Sequence, residues 1–440
     1  MTSAHTITAA LGDQRRWVLP RPAAFVVASV ALIAVFMSSG TPIPLYNTFR
    51  VADGITDADL ALTTVLYLAA TALSLLVFGR LSNQLGRRPV VIAAVTLSIL
   101  GCVVLAHVHT LPVLVGGRIL QGLACGIASS AAGAMVIDLA PTTRMPWLAA
   151  VITSSAPPFA IPVGALASGV LVEYATAPRT LGLTLMAVLL AGCGALLLVC
   201  PETVRRVPGT LRSLLPQVHI PTGAGRLMIA AGGTLVATWS FTGFYQAFAP
   251  GLAADYLGTT DALMIAVVFA SVIVLAPLGG TLTSRLTPVH AQRIGLVVFV
   301  AGTAAIITAL HSAAMVPFLV ASALAGIAQG AANSGGMRGV LADITPTDRA
   351  GTLATLYLIS YSGGALPGLV AGHLSRTMSL PDVGTCYAAL VVVAAVVALL
   401  ASRRPRRRRG ELSAAGLRAA GARVRAAGRS RPPRASRRRR

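Results

Sequence analysis

Long apolar runs of about 20 residues, separated by short polar loops, dominate this chain. Such a run suits a helix that crosses a bilayer. The composition, 55% hydrophobic and 11% charged residues, is also typical of membrane proteins. The sequence therefore predicts an all-α membrane protein with twelve spans, at about residues 23–46, 60–79, 89–107, 112–137, 147–172, 180–200, 227–250, 261–283, 293–311, 316–342, 352–374 and 384–402.

Arginine is distributed unevenly over the alternate loops. The loops on one predicted side hold Arg residues at positions 15, 16, 21, 80, 87, 88, 144, 205, 206, 212, 226, 285, 293 and 349, whereas the opposite loops hold Arg50, Arg179 and Arg376. Basic loops stay in the cytoplasm, so we predict that both termini are cytoplasmic. All 35 basic residues are Arg, which is typical of GC-rich bacterial genomes. We therefore expect a multi-pass protein of a bacterial plasma membrane.

The two halves of the chain carry the same short pattern. Gly122 and Gly126 precede Asp138-Leu-Ala-Pro-Thr-Thr-Arg, and Gly326 and Gly330 precede Asp343-Ile-Thr-Pro-Thr-Asp-Arg. Helix packing alone explains the glycines but not the shared Asp, Pro and Arg. We therefore predict an amino-terminal segment at 1–22, six-helix bundles at 23–200 and 226–402, a cytoplasmic linker at 201–225 and a tail at 403–440.

The net charge of +22 is concentrated in the tail, where residues 403–440 hold 16 Arg and one acid. This composition predicts disorder. We expect the tail to bind anionic lipids of the inner leaflet. Nucleic-acid binding and an extension without function are the other interpretations.

A short cationic loop, Gly79-Arg-Leu-Ser-Asn-Gln-Leu-Gly-Arg-Arg-Pro, lies between the second and third runs. It resembles the signature loop of the major facilitator superfamily in Gly79, Leu81, Gly86, Arg87 and Arg88. The family usually has Asp where this chain has Asn83. The missing charge would face the amino end of the eleventh helix, and Asn can still accept a hydrogen bond there.

The resemblance implies a transporter of two six-helix bundles, related by a pseudo-twofold axis along the membrane normal, with the substrate site between them. Arg118-Ile-Leu-Gln121-Gly resembles a fourth-helix pattern of twelve-helix bacterial drug:proton antiporters, as does Pro201-Glu-Thr after the sixth helix. The antiporter pattern of the fifth helix has Ala165 in place of Pro. The nearby Pro157, Pro158 and Pro162 can supply the bend.

The resemblance also implies a conformational gate. Asp138 is expected to form an ion pair with Arg87, and Asp343 is expected to act in the same way with Arg349. A carboxylate at a helix carboxyl end also favours a cationic partner on physical grounds. A solvated acid is the alternative.

Arg118 lies some six residues into the fourth run, about 9 Å from its end. An arginine inside a membrane is energetically costly and usually functional. With Gln121 on the same helix face, Arg118 is a candidate for substrate binding or coupling. The alternative is that its side chain extends to the membrane surface.

Further polar residues fall inside the second half, namely Thr238, Thr242, Tyr245, Gln329, Asn333, Tyr357 and Tyr361. An apolar cavity with a few such groups suits neutral or cationic lipophilic substrates. Hydrogen bonding between helices is the alternative for each residue.

These patterns favour proton-coupled efflux of small lipophilic compounds by an antiporter that alternates access between the two sides. A carrier for a metabolite is the main alternative, and a membrane enzyme is the third. The chain has no metal-ligand spacing, nucleophile elbow or phosphate loop, so we expect no catalytic residues and no cofactor beyond a proton gradient. We expect a monomer. All 13 acids lie at helix ends, in loops or in the tails, which is unusual for a proton-coupled carrier.

Overall fold

A computed structural model describes residues 18–79, 81–141, 147–204, 223–342 and 344–402. The first half contains eight helices within that part: α1 (Arg21–Gly40), α2 (Tyr46–Asp53), α3 (Asp57–Phe78), α4 (Ser82–Leu85), α5 (Arg87–Leu105), α6 (Leu111–Leu139), α7 (Leu148–Tyr174) and α8 (Leu181–Leu198). The predicted span at 23–46 thus corresponds to α1, which ends earlier, at Gly40. The last residues of the predicted span form a 3-10 turn and the start of α2, because Pro42 and Pro44 lack backbone donors.

The described second half contains α9 (Gly225–Gly251), α10 (Ala262–Ser271), α11 (Ala276–Leu282), α12 (Pro288–His311), α13 (Met315–Leu341), α14 (Pro346–Leu374) and α15 (Leu380–Ala401). A π-helical turn, Leu252–Tyr256, follows α9. Eleven of the described segments are long and apolar enough to cross a membrane, or up to twelve if α7 counts as one bent span. The two parts of α7, Leu148–Ala156 and Pro158–Tyr174, meet at an angle of 57°. The bend lies where it was predicted from the prolines.

The glycines of the repeated pattern let helix backbones approach closely. A Cβ at Gly122 would lie 2.4 Å from the Tyr67 carbonyl oxygen, so only glycine lets α6 pack this tightly on α3. In the second half, a Cβ at Gly330 would lie 1.8 Å from the Ala276 carbonyl oxygen of α11. The repeat therefore builds the same helix contact twice. This contact pattern belongs to a fold of two six-helix bundles related by a pseudo-twofold axis.

The two halves meet closely near α2, at what we call the α2 end of the molecule; the opposite end, near α4, is the α4 end. A Cβ at Gly372 of α14 would lie 3.2 Å from Ala61 Cβ of α3. A Cβ at Gly169 of α7 would lie 2.9 Å from Ala266 Cβ of α10. Small residues thus bring α3 to α14 and α7 to α10 across the boundary between the halves.

Candidate substrate and gating sites

Arg118 of α6 is completely buried, with 0% of its surface exposed. Its Nη1 donates to the Ser39 carbonyl oxygen at 2.7 Å and to Gln121 Oε1 at 2.9 Å. Gln121 Nε2 donates to the Ser38 carbonyl oxygen at 2.6 Å. Both predicted residues therefore bind the last turn of α1, whose final carbonyls have no partner within the helix. The alternative that Arg118 extends to the membrane surface is wrong.

The ring of Tyr67 completes this cluster from α3. Its centroid lies 4.3 Å from Arg118 Cζ, a cation–π contact that partly replaces the lost hydration of the guanidinium. Tyr67 and Ser39 were not among the predicted site residues. Tyr67 lies beside Arg118 because α3 packs closely on α6 at Gly122. Predicting this contact from the sequence requires knowing that α3 and α6 are neighbours.

The polar residues predicted in the second half form a ladder between α9 and α13. Thr238 Oγ1 donates to Asn333 Oδ1 at 3.0 Å, and Thr242 Oγ1 donates to Gln329 Oε1 at 3.3 Å. The hydroxyls of Tyr245 and Ser322 lie 2.5 Å apart as the third rung. Thr238, Thr242 and Tyr245 therefore share one helix face, as predicted.

The ladder favours helix-to-helix bonding over substrate contact for these residues in this conformation. Tyr245 has 0% exposure and packs on Phe318 and Phe241, with ring centroids 5.7 Å and 5.6 Å away. Gln329 Nε2 also donates to the Val272 carbonyl oxygen at 2.7 Å. Their role in substrate binding stays a prediction.

Tyr357 and Tyr361 of α14 differ in environment although they lie one turn apart. Tyr361 is 7% exposed and meets the edge of Trp239, with ring centroids 5.0 Å apart. Tyr357 is 39% exposed. Of the two, Tyr357 is the more exposed side chain in this conformation.

Arg87 and Asp138 form the ion pair that the family resemblance implies at the α4 end. Arg87 Nε lies 3.1 Å from Asp138 Oδ2, and its Nη1 donates to Ser82 Oγ at 2.7 Å. Thr203 Oγ1 donates to the same carboxylate oxygen at 2.9 Å. Asp138 is therefore held by a cation and a hydroxyl, and the solvated alternative does not apply. Its role as a gate stays a prediction.

Glu202 binds the start of α5 and was not predicted as a site residue. Its carboxylate accepts from the backbone N–H groups of Arg87 at 2.7 Å and Arg88 at 3.2 Å, a favourable place for negative charge. Gly86 has φ +99, and a Cβ there would lie 2.5 Å from Glu202 Oε2. Only glycine fits this turn. Gly79 ends α3 as its C-cap, and Arg88 Nη1 donates to the Leu198 and Cys200 carbonyls at 3.1 Å each.

Asn83 is exposed on α4. The start of α14, which the family's Asp would face, is capped from within its own sequence. Asp348 N–H donates to Thr345 Oγ1 at 3.3 Å, and Thr345 Oγ1 donates to Asp348 Oδ2 at 2.8 Å. A carboxylate at the amino end of α14 is therefore supplied by Asp348. The predicted partner Arg349 is exposed, and Asp343 lies outside the described residues.

Charged residues join the halves at the α2 end. Arg50 of α2 binds Asp57 of α3, with Nε to Oδ1 at 3.2 Å, and Asp255 after α9, with Nη2 to Oδ2 at 2.5 Å. Glu173 of α7 accepts from the Ala262 N–H at the start of α10, at 2.9 Å. In this conformation, one ion pair, Arg50 with Asp255, and one helix cap thus hold the two halves together at this end.

The two-bundle fold and its long apolar helices define a multi-pass membrane protein. Residues 28–369 match the sequence profile of the Major Facilitator Superfamily. The chain belongs to this family, and it is a transporter and not an enzyme. The resemblance seen in the signature loop is thereby confirmed.

Several known proteins are similar over part of the chain. The multidrug resistance protein MdtL of Klebsiella pneumoniae is 32% identical over 116 residues, 26% of this chain and 29% of that protein. A uridine/deoxyuridine transporter of Lactococcus lactis is 30% identical over 152 residues, 34% of this chain and 32% of that protein. The matches therefore span about a third of these curated relatives.

Two solved structures share the fold. The nucleoside transporter NupG superimposes with a TM-score of 0.68 at 14% identity, over 86% of this chain and 100% of that chain. The xylose transporter XylE of E. coli, in a partially occluded inward open conformation, gives 0.63 at 18% identity, over 86% of this chain and 96% of that chain. The predicted fold class is confirmed.

Proposed function

We propose that this protein exports small lipophilic compounds from a bacterial cell by alternating access, driven by the proton gradient. The buried Arg118 is the observation that carries the proposal. A fully buried charge inside the first bundle is energetically costly, and such residues in membrane helices are usually functional. Its helix also carries the antiporter-like sequence, and MdtL is named as a multidrug resistance protein.

The contacts between the halves support alternating access. Arg50 and Glu173 join the halves at the α2 end, through Asp255 and the start of α10. These polar contacts can be exchanged for water when the halves separate. The ion pair of Arg87 and Asp138 lies at the opposite end and inside one half. Each end thus has its own set of polar contacts to make or break.

A carrier for a polar metabolite is the second candidate. A uridine/deoxyuridine transporter and the nucleoside transporter NupG are among the similar proteins. The exposed Tyr357 offers an aromatic face on which a base can stack. Uptake of uridine into cells that lack their own carriers tests this candidate.

Accumulation assays test the efflux proposal. Cells that express the protein should retain less of a lipophilic dye than control cells, and a protonophore should abolish the difference. A panel of one cationic, one neutral and one anionic dye covers the charge classes. A difference between expressing and control cells that persists with the protonophore contradicts proton coupling. If expressing and control cells accumulate each of the three dyes equally, export is contradicted.

The proposed location is the plasma membrane, as a monomer with cytoplasmic termini. A cytoplasmic reporter fused after Arg212 should be active, and one inserted near Asp255 should not. The opposite pattern contradicts the orientation.

The Arg-rich tail, outside the described residues, is proposed to bind anionic lipid. Its removal should reduce protein binding to anionic vesicles without altering transport.

A further inference from the structure

The guanidinium of Arg118 has one filled edge and one unfilled edge. Nη1 donates to Ser39 and Gln121. Nε and Nη2 are buried and have no hydrogen-bond partner among the described residues. The Nε–H and one Nη2–H of an arginine point in the same direction. They form the pair of parallel donors that binds a carboxylate with two hydrogen bonds.

Arg338 of α13 shows what a satisfied arginine looks like in the same protein. Its Nε, Nη1 and Nη2 donate to the carbonyl oxygens of Ser334, Ser284 and Thr283, at 3.4, 3.2 and 3.2 Å. All three of its nitrogens are used, although Arg338 is only partly buried. The unfilled edge of Arg118 is therefore not a general property of arginines in this fold.

The charge of Arg118 also lacks an anion among the described residues. Arg50, Arg87 and Arg179 are more exposed, and each contacts an aspartate. Arg118 contacts two neutral oxygens and the Tyr67 ring. Burial of an unpaired charge costs more than burial of a paired one, so the site favours an anion at the unfilled edge.

We infer that the transported compound carries a carboxylate that binds the Nε and Nη2 edge of Arg118. This deepens the proposed function and rests on it. A carboxylate matches the edge in geometry and cancels its single charge, whereas a phosphate monoester leaves a negative charge buried. The predicted preference for neutral or cationic compounds is replaced by one for lipophilic organic acids.

The rest of the compound should be apolar. Near this cluster the halves meet along small and aliphatic residues: a Cβ at Gly364 of α14 would lie 3.0 Å from Leu68, and one at Gly368 would lie 2.8 Å from Val65. Arg118 is closed to solvent in this conformation. The acid therefore reaches the edge in another state of the cycle, and binding favours that state.

Thermal stability of the purified full-length protein in lipid nanodiscs tests the inference. The probes are benzoate and 1-naphthoate, their primary amides, and 1-naphthyl phosphate. The carboxylates should raise the melting temperature in a saturable manner, with affinities at least about tenfold above those of the amides, a difference of 1.4 kcal/mol. The phosphate should bind more weakly than 1-naphthoate.

Three variants locate the effect. Arg118→Gln should abolish the preference for the carboxylate over the amide. Arg118→Lys retains the charge without the paired donors and should keep only part of the preference; it also serves if the Gln variant does not fold. Arg338→Gln is the matched control and should leave the preference unchanged.

Several results would overturn the inference: amides that bind as well as acids, a preference that survives in Arg118→Gln, no stabilisation by either acid, or equal binding of the phosphate. The dye assay separates this outcome from failure of the proposed function. Protonophore-sensitive export with no acid preference refutes the carboxylate site alone. An acid preference without export refutes the efflux proposal alone.

Discussion

The fourth helices of the two halves, α6 and α13, carry the same glycine pattern but different chemistry. Four residues before Gly122 stands Arg118, and four residues before Gly326 stands Ser322. The charged side chain binds α1 and leaves an edge unfilled. The hydroxyl of Ser322 meets Tyr245 of α9 in an aromatic core. Close helix packing is thus repeated in both halves, while the ionisable group belongs to one of them.

Backbone contact and side-chain chemistry thus vary independently between the two halves. Gly126 and Gly330 both press on a neighbouring helix, with would-be Cβ distances of 2.5 Å to the Thr71 carbonyl oxygen and 1.8 Å to that of Ala276. Any side chain there would force the helices apart. Arg118 and Ser322, two turns earlier in their helices, are both buried, so this position accommodates either a charge or a hydroxyl.

The largest effect is expected at Arg118. Arg118→Gln should lower transport at least about thirtyfold, since losing a buried charged contact costs about 2 kcal/mol or more. The melting temperature should stay within a few degrees, because the substitution also removes a buried charge that has no anionic partner in the described structure. Transport in proteoliposomes and a thermal scan measure both. Full transport by this variant would place the site outside the first half.

The equivalent position in the second half should affect stability and not transport. Ser322→Ala leaves the Tyr245 hydroxyl buried without its partner and should cost about 1–3 kcal/mol. Tyr245→Phe should cost less, about 0.5–1.5 kcal/mol, because Ser322 Oγ still donates to the Phe318 carbonyl oxygen at 2.7 Å. Denaturant unfolding gives the two values. Lost transport at normal stability in Tyr245→Phe would move the site towards the second half.

The signature loop and its counterpart in the second half are held in different ways. Asp138 holds the first loop through Arg87, whereas Arg338 holds the second through the Thr283 and Ser284 carbonyls. Asp138→Asn should therefore raise the labelling rate of a cysteine placed at Asn83 about fivefold, the equivalent of about 1 kcal/mol for a partly buried pair. A cysteine at Leu282 is the control, and its rate should not change. Equal changes in labelling rate at both cysteines would contradict the view that the two loops are held by independent contacts.

The smallest effect is expected from restoring the family's charge. Asn83→Asp should change accessibility at the α4 end by less than about twofold, because Asp348 already supplies a carboxylate at the start of α14. In an Asp348→Asn background the same substitution should act more strongly, up to the fivefold that corresponds to about 1 kcal/mol. A large effect in the unaltered background would show that α14 needs the charge from α4.

The sequence alone determined the class of protein and most of its helices. Apolar length and arginine asymmetry predict spans without any tertiary information, since they reflect the bilayer as a solvent. The repeat and the signature loop predicted the family, and the pair of Arg87 and Asp138 followed from it. The spans also placed Arg118 inside the membrane, because helix rise converts position in a run into depth.

Tertiary structure decided what each polar residue does. Whether Arg118 reaches the surface or binds α1 depends on which helices surround it, and Ser39 and Tyr67 are 79 and 51 positions away in the chain. The hydrogen-bond partners of Thr238, Thr242 and Tyr245 likewise depend on which helix packs against their face of α9. Hydrophobic periodicity is weak in helices that are apolar all round, so the sequence does not specify their partners. Close packing at the glycines selects those partners. The helices selected in this way determine which edge of Arg118 has no hydrogen-bond partner among the described residues.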